Sequence, residues 1–196
     1  MIAIVDYGAG NLASVVKALR YLKQECIVTG EPDIVRHAAR WIIPGVGNFK
    51  ATASLADGPL GQILRDGVAG GKPILGVCLG LQWMFEGSTE APQLTGLGAF
   101  SGLCERFSQG VKSPHVGWDR LAISQPSRLL ARIPSGEYFY FTHSYRAPIC
   151  SETVATCVYE TPFTAVAERG NLFGVQFHPE KSGDVGITML ENFCAL

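Results

Sequence analysis

Apolar residues form short, uninterrupted runs along the first half of the chain. Four such runs cover residues 1–6, 26–28, 41–43 and 74–77, and the first of them ends at Asp6. Apolar runs of this length, without alternating polar positions, are typical of strands that are buried on both faces of a parallel sheet. The first half of the chain therefore predicts several buried parallel strands.

Helical spacing separates these runs. Residues 12–23 carry apolar side chains three and four positions apart, and Asn11 precedes them as a residue type that is favoured at helix N-caps. Residues 60–68 show a second helical pattern. Strands that alternate with helices predict an α/β fold built around an open, largely parallel sheet.

The second half of the chain is organised differently, because its strand-like segments follow one another without helices between them. These segments are residues 114–123, 137–146, 153–159, 164–168 and 172–177. Successive strands linked by proline and glycine turns indicate antiparallel additions to the sheet. Residues 184–193 predict a closing helix. With no repeat or linker in between, we expect one domain over residues 1–196.

Composition and charge exclude several classes of protein. The chain has 196 residues, of which 47% are hydrophobic and 17% are charged, and its formal net charge is −1. This balance leaves no basic face for nucleic acid. No apolar run approaches the roughly 20 residues needed to span a bilayer, and the first residues lack the pattern of a secretory signal. We therefore expect a soluble, cytoplasmic protein with neither nucleic acid nor membrane as its partner.

The six cysteines are scattered along the chain and include no Cys-x-x-Cys pair. They are Cys26, Cys78, Cys104, Cys150, Cys157 and Cys194. Without paired spacing or an export signal, we expect reduced thiols and no metal site. Most of these cysteines are then simple packing residues.

Cys78 stands apart from the other cysteines because of its neighbours. Residues 76–80 have the sequence Gly-Val-Cys-Leu-Gly, with an apolar strand before them and a helical pattern after them. This is the layout of a nucleophile elbow with cysteine in place of the usual serine. The first turn of the helix directs free N–H groups toward the sulfur and favours the thiolate. Cys78 is therefore the candidate nucleophile, and a buried packing cysteine is the competing interpretation.

A Phe-His-Pro-Glu sequence places His178 and Glu180 directly after the last predicted strand. The proline fixes an extended bend, so both side chains can point the same way. An imidazole in this position can take the thiol proton, while the carboxylate holds the ring and stabilises its charged form. The remaining histidines, His37, His115 and His143, are interpreted as solvated or structural groups.

Two glycine-rich turns allow more than one interpretation. Residues 8–13 match the dinucleotide pattern G-x-G-x-x-A, and Glu31 follows the second strand where a ribose-binding acid would lie. A tight strand-to-helix turn accounts for the same residues. Residues 44–47, Pro-Gly-Val-Gly, fit either an ordinary strand-ending turn or a set of backbone donors to an oxyanion.

Taken together, the elbow and the His-Pro-Glu sequence resemble the class I glutamine amidotransferases over essentially the whole chain. The resemblance implies a three-layer, flavodoxin-like α/β fold, with helices on both faces of an open, mixed and mostly parallel sheet. It implies that Cys78 attacks the side-chain amide of glutamine, that His178 is the general base and acid, and that Glu180 orients His178.

The same resemblance implies the binding groups. The oxyanion hole would be formed by backbone N–H groups of Val46 or Gly47 together with that of Leu79. The residues that would contact the glutamine substrate are Gly45, Gln82, Ser144 and Tyr145. No cofactor and no metal are implied.

Four blocks, residues 6–12, 44–49, 114–119 and 178–182, narrow the resemblance to one branch of that family. Members of this branch act in histidine biosynthesis and supply ammonia to a separate (β/α)₈-barrel cyclase subunit. A barrel of this kind takes ~250 residues, so a heterodimer is implied. The interface residues implied by these blocks are Asn11, Trp118 and Lys181. A glutaminase that serves another synthase, a dinucleotide-binding module and a catalytically silent subunit remain as alternatives.

Overall fold

The computed structural model describes residues 1–196 and has a central sheet between two layers of helices. The helices are α1 (Leu12–Tyr21), α2 (Pro32–His37), α3 (Ala53–Ala56), α4 (Pro59–Ala69), α5 (Leu79–Met84) and α6 (Gly183–Ala195). Two 3₁₀ turns cover Phe49–Thr52 and Pro179–Lys181. None of these helices combines the length and the apolar character that crossing a membrane requires.

Thirteen strands complete the fold. They are β1 (Ile2–Val5), β2 (Cys26–Thr29), β3 (Arg40–Gly45), β4 (Ile74–Cys78), β5 (Gly87–Ser88), β6 (Leu103–Arg106), β7 (His115–Arg120), β8 (Ala122–Ile123), β9 (Tyr138–His143), β10 (Tyr145–Arg146), β11 (Thr153–Tyr159), β12 (Thr161–Arg169) and β13 (Leu172–Val175).

The main sheet has eight strands in the order β2-β1-β3-β4-β13-β12-β11-β8. The first five run parallel to one another, and the last three are antiparallel additions. The order of the parallel strands, with the first strand between the second and third, is the flavodoxin-like arrangement. The predicted fold class is confirmed, including the change from parallel to antiparallel pairing along the chain.

The core lies on both faces of this sheet, and β1 shows why its sequence lacks polar positions. Ile2 and Ile4 belong to the hydrophobic cluster on the side of α1 and α6, whereas Ala3 and Val5 belong to the cluster on the side of α2, α4 and α5. Successive side chains of a strand point to opposite faces, so a strand covered on both sides needs apolar residues throughout.

One edge of the sheet collects the chemically active segments. β1, β3, β4 and β13 are parallel, so the residues that follow each of them lie at the same edge. Segments 6–11, 45–48, 78–79 and 176–180 occupy these positions. In open α/β sheets, the crevice at the carboxyl ends of the strands is where ligands bind.

The predicted strands 114–123 and 137–146 are each broken in two. β7 pairs with β9 in a separate two-stranded ribbon, whereas β8 joins the main sheet. Between β7 and β8, the backbone of Leu121 bonds to Glu137 while its side chain is fully buried. Between β9 and β10, the carbonyl of Ser144 accepts from Phe107, and β10 then pairs with β6. Hydrophobic pattern alone does not mark these changes of partner.

Two local details at the helices differ from the predictions. Asn11 occupies the predicted N-cap position of α1, but its side chain makes no capping hydrogen bond. The predicted helix over residues 12–23 ends at Tyr21, and Lys23 adopts a left-handed φ of 56° that is incompatible with a continuing helix. The polar stretch around His37 belongs to a short helix, α2, which the sequence analysis did not predict.

Candidate active site

Cys78 lies at the junction of β4 and α5, in a strained backbone conformation. Its φ is 54° and its ψ is −104°, outside the regions that non-glycine residues normally adopt. Strain of this kind persists only when the surrounding structure holds the residue in place, and it is typical of functional sites. The strand-to-helix turn predicted from residues 76–80 is therefore present, with the cysteine at its tip.

The two glycines of the elbow are required by close approach of backbone. A β-carbon on Gly80 would lie 1.9 Å from the carbonyl oxygen of Ile43, and one on Gly76 would lie 2.7 Å from the carbonyl carbon of Gly80. Neither gap can hold a side chain. The elbow therefore packs directly against β3, which brings segment 45–47 to the side of Cys78.

His178 and Glu180 form a buried pair on the adjacent strand end. Nδ1 of His178 is 2.8 Å from Oε1 of Glu180, and each side chain is 2% exposed. The backbone of His178 is held on both sides, because its N–H donates to the carbonyl of Tyr140 and its carbonyl accepts from the hydroxyl of Ser182. The Pro179–Lys181 turn thus places the carboxylate where it fixes the imidazole.

The other ring nitrogen, Nε2 of His178, is buried and has no hydrogen-bond partner in the protein. Burial lowers the pKa of His178, but a thiolate at Cys78 and the carboxylate of Glu180 outweigh it and raise the pKa above its ordinary value. The imidazole is therefore set to carry a proton when the sulfur is ionised. A buried nitrogen without a partner beside a sulfur is suited to proton transfer.

A cavity of about 290 Å³ opens beside the sulfur. Its lining residues are Gly47, Cys78, Leu79, Gln82, Glu90, Pro114, Thr142, His143, Ser144 and Tyr145. The lining is mostly polar and its only acidic side chain is that of Glu90. A cavity of this size and polarity fits a small, polar, amino-acid-sized molecule. No group of three or more His, Cys, Asp or Glu side chains is arranged to hold a metal ion.

Of the residues predicted to bind substrate, Gln82, Ser144 and Tyr145 lie in the cavity wall. Gln82 is buried, and its Nε2 donates to the carbonyl of Tyr145 at 2.8 Å. Gly45 is not in the wall. It lies behind, where the Tyr7 hydroxyl and the Leu79 side chain leave no room for a β-carbon.

The predicted oxyanion donors follow β3 and β4. Gly47 and Leu79 line the cavity, and Val46 lies beside them, half-buried. Gly47 has a φ of 107°, a conformation that favours glycine. Tyr7 lies next to this segment, and burial together with the Cys78 charge raises the pKa of its hydroxyl far above the ordinary value.

Besides Pro114 and Thr142 in the cavity wall, three residues of the site were not predicted from the sequence. Glu90 faces the cavity and accepts a hydrogen bond from the backbone N–H of Phe49 at 2.7 Å. His143, interpreted above as structural, also lines the cavity. Gln176 is fully buried and its Nε2 is 3.7 Å from the sulfur of Cys78. The position of Gln176 two residues before His178 was the one available signal.

Two of the predicted interface residues come together on the outer face of the β7–β9 ribbon. The rings of Trp118 and Tyr140 are 6.1 Å apart, and the Nζ of Lys181 lies 5.7 Å from the centre of the Tyr140 ring. Trp118 is 54% exposed. Asn11 is exposed at the start of α1, a helix that packs beside the Pro179–Lys181 turn.

The dinucleotide pattern at residues 8–13 is a tight turn in the structure. Gly8 and Gly10 have φ values of 86° and 123°, and the Gly10 position lies close to the carbonyl of Pro44. Ala13 is exposed, whereas the last small residue of a dinucleotide fingerprint packs the helix onto the strand. Glu31 immediately precedes α2 and is exposed. These features do not support a dinucleotide site.

Comparison with known proteins decides the family. The model of the glutamine amidotransferase class-I family matches residues 3–196. The chain belongs to the class I glutamine amidotransferases. Among its relatives, the imidazole glycerol phosphate synthase subunit HisH of Thermococcus kodakarensis is 46% identical over 98% of each chain. The subunit of the same name from Methanothermobacter thermautotrophicus is 43% identical over 98% of this chain and 97% of its own.

Solved structures of more distant proteins have the same fold. A crystal structure of a glutamine amidotransferase has a TM-score of 0.76 with 16% identity, over 98% of both chains. The structure of PurLQS from Thermotoga maritima also has a TM-score of 0.76, with 20% identity over 99% of this chain and 97% of that chain. At these identities, the likeness concerns the fold alone.

Proposed function

We propose that this chain is the glutaminase subunit of an imidazole glycerol phosphate synthase, which supplies ammonia for histidine biosynthesis. The observation that carries the proposal is the elbow cysteine beside the buried His178–Glu180 pair, at the head of a small polar cavity. Relatives that are 43–46% identical over nearly the full chain carry the name of that subunit.

In the proposed reaction, the Cys78 thiolate attacks the amide carbon of the glutamine side chain and forms a tetrahedral intermediate. Imidazolium at His178 protonates the nitrogen as the C–N bond breaks, so ammonia leaves and a thioester remains. Neutral His178 then removes a proton from water, which attacks the thioester and releases glutamate. Glu180 holds the ring throughout by its 2.8 Å contact.

The negative oxygen of each intermediate needs hydrogen-bond donors. The N–H of Leu79, at the start of α5, and that of Val46 or Gly47 supply them in our proposal. Because Gly45 and Gly47 permit a peptide rotation between them, docking of a partner can complete this hole by rearranging Val46. Low activity of the isolated chain follows from that arrangement.

Glutamine recognition divides among groups in the cavity wall. The carboxylate of Glu90 is placed to bind the substrate's ammonium group, and Ser144 and Tyr145 hold the amino-acid end. No protein group donates to Oε1 of Gln82, so this oxygen is free to accept from the substrate. Gly45 does not reach the cavity, and its role is to let Leu79 and Tyr7 pack closely behind the wall.

Ammonia released into water would be protonated and lost, so a sheltered route to an acceptor is needed. We propose that a (β/α)₈-barrel cyclase subunit docks on the ribbon face formed by Trp118, Tyr140 and Lys181, with Asn11 at its margin. Interface hot spots are enriched in tryptophan and tyrosine, and the exposed Trp118 lies beside Tyr140 on this face. This face adjoins the strand end that carries His178.

Glutamate release from glutamine tests the proposal, measured for the chain alone and with a cyclase subunit and its nucleotide ligand. We expect release to rise strongly in the complex and to vanish in Cys78→Ala, while that variant still binds the partner. Cys157→Ala, which removes another buried thiol, is the matched control and should retain activity. Glutamate release by Cys78→Ala would contradict the mechanism. Equal rates with and without the partner would contradict the coupling between partner binding and activity.

A further inference from the structure

Gln176 follows β13 and reaches the nucleophile from a fully buried position. Its Nε2 is 3.7 Å from the sulfur of Cys78, and it is the only side-chain amide that hydrogen-bonds to that atom. We propose that Gln176 is a further catalytic residue, whose amide donates a hydrogen bond to the Cys78 sulfur and stabilises its thiolate. The proposal deepens the function given above and rests on Cys78 as the nucleophile.

The orientation of the Gln176 amide is fixed by its neighbours. The carbonyl of Tyr145 can only accept, so the Gln82 atom at 2.8 Å from it must be the NH₂ group. The same Gln82 nitrogen is 3.3 Å from the other end of the Gln176 amide, which must therefore be the oxygen. The NH₂ group of Gln176 is left facing the sulfur.

The Tyr145 carbonyl, where this series of hydrogen bonds starts, also contacts a second side chain. Nδ1 of His143 is 2.8 Å from it, and Nε2 of His143 is 3.1 Å from Nδ1 of His115. Burial lowers the pKa of His143 to about 3, so the ring is neutral and carries its proton on Nδ1. The series of hydrogen bonds from Tyr145 through Gln82 to Gln176 thus begins at the Tyr145 carbonyl, which accepts from two donors.

A donor at this place has a specific task, because one of the other groups close to the sulfur favours the thiol. The carbonyl of Thr142 lies 3.8 Å from the sulfur and can accept the thiol proton. Once that proton has gone, the carbonyl faces a negative sulfur and disfavours it. A hydrogen bond from Gln176 offsets this, since hydrogen bonds to charged groups are stronger than those to neutral groups.

The rate at which iodoacetamide alkylates Cys78 tests this role, since only the thiolate reacts. The full-length chain is treated between pH 5 and 9, and the Cys78 peptide is quantified by mass spectrometry. Gln176→Met keeps the length of the side chain but removes the donor. Gln176→Glu keeps the acceptor for Gln82 and places a second negative charge beside the sulfur.

At pH 7 we expect alkylation of Cys78 to fall about tenfold in Gln176→Met and further in Gln176→Glu, since one charge-assisted hydrogen bond is involved. The pH at half-maximal reaction should rise by about one unit, which a purely structural role would not produce. The titratable groups around the sulfur, Tyr7, His143, His178 and Glu180, are unchanged in all variants.

Thr164→Val is the matched control. Thr164 is fully buried and bonds to Thr153 and Pro148, so its loss affects stability without touching the sulfur. Alkylation within twofold of the wild type in a folded Gln176→Met protein would overturn the proposal. If that variant does not fold, the same result with Gln176→Glu decides. A wild-type protein without glutaminase activity would contradict the proposed function. The alkylation rates test the role of Gln176 independently of that activity.

Discussion

The carboxyl ends of the parallel strands and the β7–β9 ribbon meet at Cys78, but they are built in different ways. At the strand ends, the backbone of each reacting residue is held in place. Close contacts at the glycines hold the elbow, and hydrogen bonds to its own N–H and carbonyl hold His178. In the ribbon, side chains alternate between two faces. Phe141 and His143 point to the core and cavity, whereas Val116 and Trp118 point to solvent.

This difference separates chemistry from recognition. Groups that move protons and electron pairs need positions fixed to a fraction of an ångström, which backbone at the end of a packed sheet supplies. A two-stranded ribbon with one face in solvent can bind a partner outside while it forms the substrate wall inside. Substitutions at the strand ends should therefore change kcat, and substitutions in the ribbon should change binding or stability.

The largest expected effect is that of Glu180→Gln, a strand-end change. The amide cannot stabilise imidazolium at His178, and it can hold the ring in the wrong tautomer. We expect kcat for glutamine hydrolysis in the complex to fall on the order of 10²–10⁴-fold, with KM changed much less. Steady-state glutamate release measures both. Glu191→Gln, on the exposed face of α6, is the control, and equal kcat values in the two variants would contradict the assignment of Glu180.

Gly80→Ala tests whether backbone contact holds the elbow. A methyl group there would lie 1.9 Å from the carbonyl oxygen of Ile43, so β3 and α5 must separate. We expect a loss of about 3 kcal/mol or more in the free energy of unfolding, measured by urea denaturation. At Gly110 the nearest atom would be 3.9 Å away, so Gly110→Ala should cost little. A similar small cost at Gly80 would show that the elbow is not rigid.

Trp118→Ala tests the outer face of the ribbon. We expect the affinity for the cyclase subunit to fall about tenfold or more, because an exposed aromatic side chain at an interface often dominates binding. Tyr21→Ala removes a side chain that is 74% exposed at the last residue of α1, toward the opposite edge of the sheet. Calorimetric titration of both variants should find a loss only for Trp118. Equal affinities would move the proposed interface elsewhere.

The same division explains how much of the molecule the sequence predicts. The strand ends are encoded locally, since Gly76, Cys78 and Gly80 lie within five residues and the direction of parallel strands brings His178 to the same edge. The change to antiparallel pairing follows from the hydrophobic pattern, whereas the flavodoxin-like arrangement of the sheet follows from the family resemblance alone.

The ribbon is not encoded locally. Its strands change partners at Leu121 and Ser144, where buried side chains and single backbone hydrogen bonds decide the pairing. Glu90 and Gln176 carry no motif of their own, and their roles depend on distances to residues far away in sequence. Asn11 shows the opposite error, because a favourable residue type at a helix start does not ensure that its side chain caps the helix.

Two histidines, one in each region, have pKa values that move in opposite directions. Burial lowers the pKa of His143 to about 3, whereas the thiolate and Glu180 overcome burial and raise that of His178. As the pH falls below ~6.5, His143 becomes protonated in the unfolded chain but stays neutral in the folded protein. The free energy of unfolding therefore decreases. The charged form of His178 stabilises the folded protein fully at a pH below ~6.5. This stabilisation is lost as the pH rises through the raised pKa of His178.

Urea denaturation at several pH values separates the two effects. Between pH 6.5 and 5, we expect the free energy of unfolding to fall by up to about 1.4 kcal/mol per pH unit from His143. Burial also lowers the pKa of the neighbouring His115, so His143→Asn should make this acid limb shallower without removing it, while still offering a donor to the Tyr145 carbonyl. The alkaline limb should stay unchanged. Cys78→Ala should flatten only the alkaline limb, because His178 loses its thiolate partner. An acid limb as steep in His143→Asn as in the wild type would show that His143 is not buried in its neutral form, and the contrast between the two regions would then rest on geometry alone.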